Sequence, residues 1–114
     1  LSYPSTPEAL AAMHKHFPKT YWSEVKPTKG LTGVTKPVNL VTYDYMLWTH
    51  KGLSDKVVYE VAKAMHKQAA KLKAGGPLWR SYEATANMAK DHGLPYHPAA
   101  EKYYKEAGVW PGSS

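Results

Sequence analysis

The sequence contains no cysteine, only one phenylalanine and, among its 15 basic residues, only one arginine. The absence of cysteine excludes disulfide frameworks, thiolate zinc sites and cysteine nucleophiles. Proteins that read nucleic-acid bases favour arginine for bidentate contacts, so the single Arg80 argues against such a partner. The net charge of +6 comes from dispersed lysines, which is typical of a solvated surface with mild attraction for anions. We therefore predict no nucleic-acid partner.

Long apolar runs and catalytic motifs are also missing. No stretch approaches the roughly 20 apolar residues of a membrane span. No Gly-x-Ser-x-Gly elbow surrounds a serine, no glycine-rich loop precedes a helix, and the acidic residues are scattered. The sequence accordingly predicts a protein that is not an enzyme and uses no cofactor. Because it begins with Leu1 and carries no signal peptide, we also expect a processed or trimmed product.

Tyrosine and tryptophan are abundant, with nine and four copies respectively. Their rings combine an apolar body with a polar tip, which suits half-buried positions and interfaces. At 114 residues the chain has the size of one domain, and we predict a single unit over residues 1–114. Its core is expected to open onto water or onto another protein surface.

Four helices are predicted from capping signals and apolar periodicity. Thr6 is a good N-cap for the first helix, Ser54 for the second and His97 for the last. The first and the last of these helices also have proline at their first helical position. The predicted helices cover about residues 7–17, 54–73, 77–90 and 97–108, so that residues 54–110 form a helical C-terminal half.

One long strand is predicted between these helices. Residues 18–37 are rich in turn signals and are interpreted as loop, whereas residues 38–50 are rich in β-branched and aromatic residues without glycine or proline. Both faces of this strand carry bulky side chains, so we expect it to be covered on both sides. One strand cannot form a sheet alone. Either Tyr21–Val25 pairs with it, or its partners belong to chain that lies outside this sequence.

Two groups of polar residues are candidates for chemistry. Asp44 lies in the middle of the predicted strand, where a carboxylate must be paired or exposed. It is either a strand-end or exposed residue, or a polar group lining a cleft or a hinge. His92 and His97 flank a Gly-Leu-Pro turn and could converge on a metal, but no cysteine or carboxylate cluster accompanies them. We predict no metal site and interpret His97 as a helix cap.

Three stretches resemble segments of a known family. Thr20-Tyr21 follows a helix and a proline-containing turn. Residues 47–59 read Leu-Trp-Thr-His-Lys-Gly-Leu-Ser-Asp-Lys-Val-Val-Tyr, and residues 93–106 read Gly-Leu-Pro-Tyr-His-Pro-Ala-Ala-Glu-Lys-Tyr-Tyr-Lys-Glu. In this order they resemble the C-terminal portion of the TAXI-family solute receptors of TRAP transporters, with Ala99 in place of the family's usual glycine and Trp22 in place of its proline.

The resemblance implies an α/β, helix-rich part of a two-lobed, type II periplasmic-binding-protein-like fold. It implies a periplasmic receptor that closes on a small anionic solute, a dicarboxylate or an amino acid, and delivers it to a membrane permease. Within this chain we take as ligand-binding candidates Tyr21, Thr42, Tyr43 and Asp44. We assign three other tyrosines to packing, namely Tyr59, Tyr103 and Tyr104.

Two alternatives remain open from the sequence. The first is a small stand-alone interaction module whose exposed tyrosines and tryptophans bind another protein. The second is a metal protein or enzyme that uses His92 and His97. If the chain is part of a larger receptor, we expect an unpaired strand edge that promotes homo-oligomers.

Overall fold

The computed structural model of the protein describes residues 2–111. Its elements comprise four α-helices, two β-strands and two short 3₁₀ turns. In chain order these are α1 (Pro7–His16), β1 (Tyr21–Val25), β2 (Val38–Thr42), α2 (Asp55–Lys67), α3 (Ala69–Ala74), the 3₁₀ turns Pro77–Trp79 and Ala86–Ala89, and α4 (Pro98–Glu106). The chain therefore has the α/β, helix-rich composition that the sequence predicts. No helix within residues 2–111 is long and apolar enough to cross a membrane.

The described residues fall into two compact units that divide between Leu47 and Trp48, where the sequence predicted one. The first unit holds α1 and a two-stranded antiparallel sheet in which β1 pairs with β2. The Thr6 hydroxyl caps α1 by accepting from the Ala9 N–H at 3.2 Å. No described residue of this unit is fully buried. Its stability therefore rests on half-buried side chains and on the hydrogen bonds of the sheet.

The predicted long strand over residues 38–50 is wrong, because β2 ends at Thr42. The register explains the early end: Thr42 pairs with Tyr21, the first residue of β1. Before Tyr21 the chain turns, since the Thr20 N–H and hydroxyl both bond to the Phe17 carbonyl oxygen. A strand needs a partner for its backbone groups. Residues 43–50 therefore have strand composition but are neither paired as a strand nor covered on both sides.

The second unit is built on the contact between α2 and α4. Its core consists of small side chains around one tyrosine, namely Val58 and Ala62 on α2 with Ala99, Ala100 and Tyr103 on α4. Alanine at these positions lets the two helices approach closely. The predicted caps are confirmed: Ser54 caps α2 and His97 caps α4. Leu53, just before the α2 cap, packs against this core, as a hydrophobic staple would.

Two predicted helices differ from the structure. The helix over residues 54–73 is interrupted at Gln68, whose φ of −102° and ψ of 21° separate α2 from α3. The helix predicted over residues 77–90 is wrong, because this segment contains only the two 3₁₀ turns. Short polar side chains compete with helical hydrogen bonds there; the Thr85 hydroxyl, for example, accepts from the Asn87 N–H at 3.3 Å. The Tyr82 hydroxyl also donates to the Met65 carbonyl at 3.0 Å, which ties the segment back to α2.

Candidate functional site

The hairpin brings together three of the four predicted ligand-binding residues. Tyr21 and Thr42 are direct partners in the β1–β2 register, so their side chains share one face of the sheet. The Tyr21 hydroxyl donates to Asp44 Oδ1 at 2.8 Å, across 23 positions of sequence. Thr42 pairs with Tyr21 and precedes Asp44 by two residues. We call Tyr21, Thr42 and Asp44 the hairpin cluster.

Tyr43, the fourth candidate, has different surroundings. Its side chain is 62 % exposed, and its ring centroid lies 5.9 Å from that of Tyr45 at an interplanar angle of 51°. Such a tilted pair is a favourable aromatic geometry. Tyr43 is therefore an exposed aromatic residue next to the hairpin cluster, and its ring contact is with Tyr45.

The hydrogen bond between Tyr21 and Asp44 also sets the electrostatics of the cluster. It raises the pKa of the Tyr21 hydroxyl above its ordinary value of 10.0, with smaller contributions from burial and from the Asp44 charge. The neutral hydroxyl is thus held as a donor, because the carboxylate disfavours a neighbouring phenolate. The Asp44 carboxylate has two oxygens with several acceptor positions. Chemically, the cluster can accept hydrogen bonds from a cationic or neutral donor of a ligand.

The turn before β1 is braced from the first helix. Nε2 of His14 lies 2.7 Å from the Thr20 carbonyl oxygen. A carbonyl only accepts, so Nε2 carries the proton and donates. This bond holds the residue that immediately precedes Tyr21 and so helps to position the tyrosine. Sequence reasoning missed this role for His14, because the bond depends on how α1 lies against the hairpin.

A second polar network lies in the other unit, at the α2–α4 contact. The Tyr103 hydroxyl lies 2.8 Å from His66 Nδ1, and the Tyr59 hydroxyl donates to Glu106 Oε2. The rings of Tyr59 and Tyr103 meet edge-to-face at 5.2 Å. Tyr103 is only 5 % exposed and belongs to the core. These bonds join the two helices, and Tyr59 and Tyr104 pack against the same core, which confirms the assignment of all three tyrosines to packing.

His97, one of the two histidine candidates for metal binding, is used otherwise. Nδ1 of His97 accepts from the Ala99 N–H at 3.3 Å, so the neutral ring carries its proton on Nε2, which lies 3.1 Å from the Leu53 carbonyl oxygen. Both ring nitrogens are therefore engaged. Within residues 2–111 no group of three or more His, Asp or Glu side chains converges to hold a metal ion. His97 therefore gives no support to the alternative of a metal site on His92 and His97.

A sequence profile of the NMT1-like family matches residues 4–108. The match includes the whole β1–β2 hairpin and continues through α4. No curated protein matches the chain significantly.

Proposed function

We propose that this chain, which belongs to the NMT1-like family of solute-binding rather than catalytic proteins, functions as part of a periplasmic receptor for a small solute. The family match over residues 4–108 is the observation that carries the proposal. Members of the family are typically extracytoplasmic. We further propose that the receptor is of the TAXI type, with a type II periplasmic-binding-protein-like fold, and that it delivers its solute to a membrane permease of the TRAP class.

The closing segment supports the TAXI assignment. Residues 93–106, which resemble the end of TAXI-family receptors, fold as a turn at Gly93 followed by the capped helix α4. The left-handed φ of 78° at Gly93 favours glycine at that position. We propose that the chain corresponds to the C-terminal portion of such a receptor, which predicts that the intact protein in its source cell is much larger than the 12.7 kDa of this chain.

The hairpin cluster is our proposed contribution of this chain to ligand binding. Of the two solute classes considered, the cluster fits amino acids better than dicarboxylates. The Asp44 carboxylate accepts from an ammonium group and repels a carboxylate at the same position. Tyr21 and Thr42 add hydroxyl groups on the same face, and the exposed ring of Tyr43 lies beside them. We propose that Asp44 contacts the amino group of the solute.

Calorimetric titration of the intact receptor, of which this chain is the proposed C-terminal portion, with amino acids and dicarboxylates tests this assignment. A charge-assisted hydrogen bond contributes about 1.5–3 kcal/mol, so Asp44→Asn is expected to weaken amino-acid binding at least about 10-fold. Glu24→Gln is the matched control, because it makes the same charge change at the other end of the hairpin, opposite Asn39. Equal losses of amino-acid affinity in both variants would show that the effect comes from the change in net charge and not from a contact with Asp44. Preference for dicarboxylates, or no binding of any amino acid, would contradict the assignment.

A second candidate function, a protein-interaction module, is favoured by the exposed side chains of Tyr43, Tyr45 and Trp48. The interaction module and the receptor predict different masses and different solute binding for the intact protein. An intact cellular protein with the 12.7 kDa mass of this chain that binds no small solute would support the interaction module and contradict the receptor.

A further inference from the structure

His97 connects the starts of the two helices that form the core of the second unit. Its Nδ1 accepts from the Ala99 N–H at 3.3 Å, inside the first turn of α4. Its Nε2 lies 3.1 Å from the carbonyl oxygen of Leu53, the residue before the Ser54 cap of α2. One half-buried imidazole therefore links the N-terminal ends of α4 and α2. We call these two hydrogen bonds the His97 bridge.

The His97 bridge requires the neutral ring. The Leu53 carbonyl only accepts, so Nε2 carries the proton, and the Ala99 N–H only donates, so Nδ1 must keep its lone pair. Protonation of the ring adds a proton to Nδ1 and sets two donors against each other. It also places a positive charge at the start of α4, where the helix dipole disfavours cations. The bond to Ala99 is then lost, whereas the bond to Leu53 is kept.

The Ala99 N–H has no replacement for this bond among the described residues. The amides of Ala100 and Glu101 donate to the His97 carbonyl instead. Ala99 is only 5 % exposed and belongs to the core between the helices. A buried N–H without a partner costs free energy comparable to a lost hydrogen bond. Protonation of one side chain therefore destabilises the contact between α2 and α4.

No carboxylate among residues 2–111 bonds to the His97 ring and so offsets this loss. The titratable and charged side chains on the adjoining segments lie in the turn before α2 and its first turn, in the turn before α4, and one turn into α4. They are His50, Lys51, Asp55 and Lys56, then Asp91, His92 and Tyr96, and finally Glu101. An imidazolium at position 97 thus gains no hydrogen-bonded acid that would stabilise it.

Other histidines respond differently to protonation. His14 already donates through Nε2, and His66 meets a tyrosine hydroxyl, which can accept as well as donate. Both bonds can therefore persist with a charged ring. Nδ1 of His50 does accept a backbone N–H, from Gly52 at 3.1 Å, but this residue is exposed and the bond stays within one turn. The bond at His97 differs because it belongs to a bridge between two helices.

We propose that the His97 bridge is a pH-sensitive device, in which protonation of the ring in mild acid breaks the cap of α4 and loosens its contact with α2. Histidine is the side chain that ordinarily changes charge between about pH 5 and 8. The folded state binds fewer protons at this ring than the unfolded state, so stability is complete at higher pH and is lost as the pH falls. The proposal depends on the two bonds of the bridge and not on the function proposed above.

Urea denaturation of the chain at about pH 7.5 and about pH 5, on either side of the histidine range, tests the device. His97→Asn is the informative variant, because asparagine is a good N-cap and does not titrate. It lacks the imidazole at both pH values, so the readout is the change in midpoint between them. The wild-type midpoint is expected to fall by about 1 M more than that of the variant. His50→Asn is the matched control and should keep the wild-type response.

Nuclear magnetic resonance of the wild-type chain gives a second, direct readout. At neutral pH the proton of the His97 ring is expected on Nε2, and on acidification the Ala99 N–H should lose its protection from hydrogen exchange as the ring gains its second proton. Equal midpoint changes in the wild type and His97→Asn would overturn the proposal. So would a neutral ring with its proton on Nδ1, or a pH response that disappears in His50→Asn.

Discussion

Tyr103 is the residue on which the second unit depends most, and its replacement gives the sharpest test of how that unit is held together. The side chain is 5 % exposed within a core that otherwise consists of one valine and three alanines. Its ring meets those of Tyr59 and His66 at centroid distances of 5.2 and 5.8 Å. Its hydroxyl lies 2.8 Å from His66 Nδ1. Packing and hydrogen bonding thus converge on one side chain and can be separated by two substitutions.

Tyr103→Phe removes the hydrogen bond and keeps the ring, so it should cost about 1 kcal/mol of unfolding free energy. Tyr103→Ala also removes the ring, and large-to-small changes of buried aromatics cost about 3–5 kcal/mol. Small proteins have a total stability of about 5–15 kcal/mol. The alanine variant is therefore expected to bring the α2–α4 unit close to unfolding, whereas the phenylalanine variant stays folded.

Urea denaturation followed by circular dichroism measures both losses. With a slope of about 1 kcal/mol per molar for a small protein, Tyr103→Phe should lower the midpoint by about 1 M and Tyr103→Ala by about 3 M or more. Leu78→Ala is the control, because Leu78 is exposed and exposed substitutions stay within about 0.5 kcal/mol. A Tyr103→Ala cost below about 1 kcal/mol, or equal costs for both variants, would refute the packing argument.

Two further predictions concern a cap and the response to alkali. Ser54→Ala removes the cap bond to the Val57 N–H and should lower the unfolding free energy by about 1 kcal/mol in the same urea assay, and Ser54→Gly by only a few tenths. An unchanged unfolding free energy in Ser54→Ala would show that this bond does not stabilise α2. Burial raises the pKa of Tyr103 and of Tyr104 above the ordinary value of 10.0, so the folded state holds these protons more tightly than the unfolded state. Their contribution is complete below pH 10 and is lost as the pH rises through the raised values, and a thermal midpoint that did not fall above pH 10 would contradict this.

The proposed site was partly predictable from the sequence. Asp44 stood out as a carboxylate in an aromatic segment, and Tyr21–Val25 was one of two predicted ways to complete the sheet. The structure connects the prediction for Asp44 with the prediction for the strand partner, because the β1–β2 register brings the Tyr21 hydroxyl to Asp44. No local pattern contains that bond, since the two residues are 23 positions apart. The support of Thr20 by His14 was not predicted for the same reason.

What the sequence by itself determined is where α1, α2 and α4 begin, because a cap is formed within three residues of chain. The side chains of Thr6, Ser54 and His97 accept from backbone N–H groups two or three residues ahead, and such bonds need no distant partner. Only the tertiary structure decided where β2 ends and which side chains meet across the hairpin. Strand formation requires hydrogen bonds from another segment, and the composition of residues 38–50 carries no information about where β1 begins. Strand propensity therefore extended the prediction to residue 50, whereas the available partner ends the strand at Thr42.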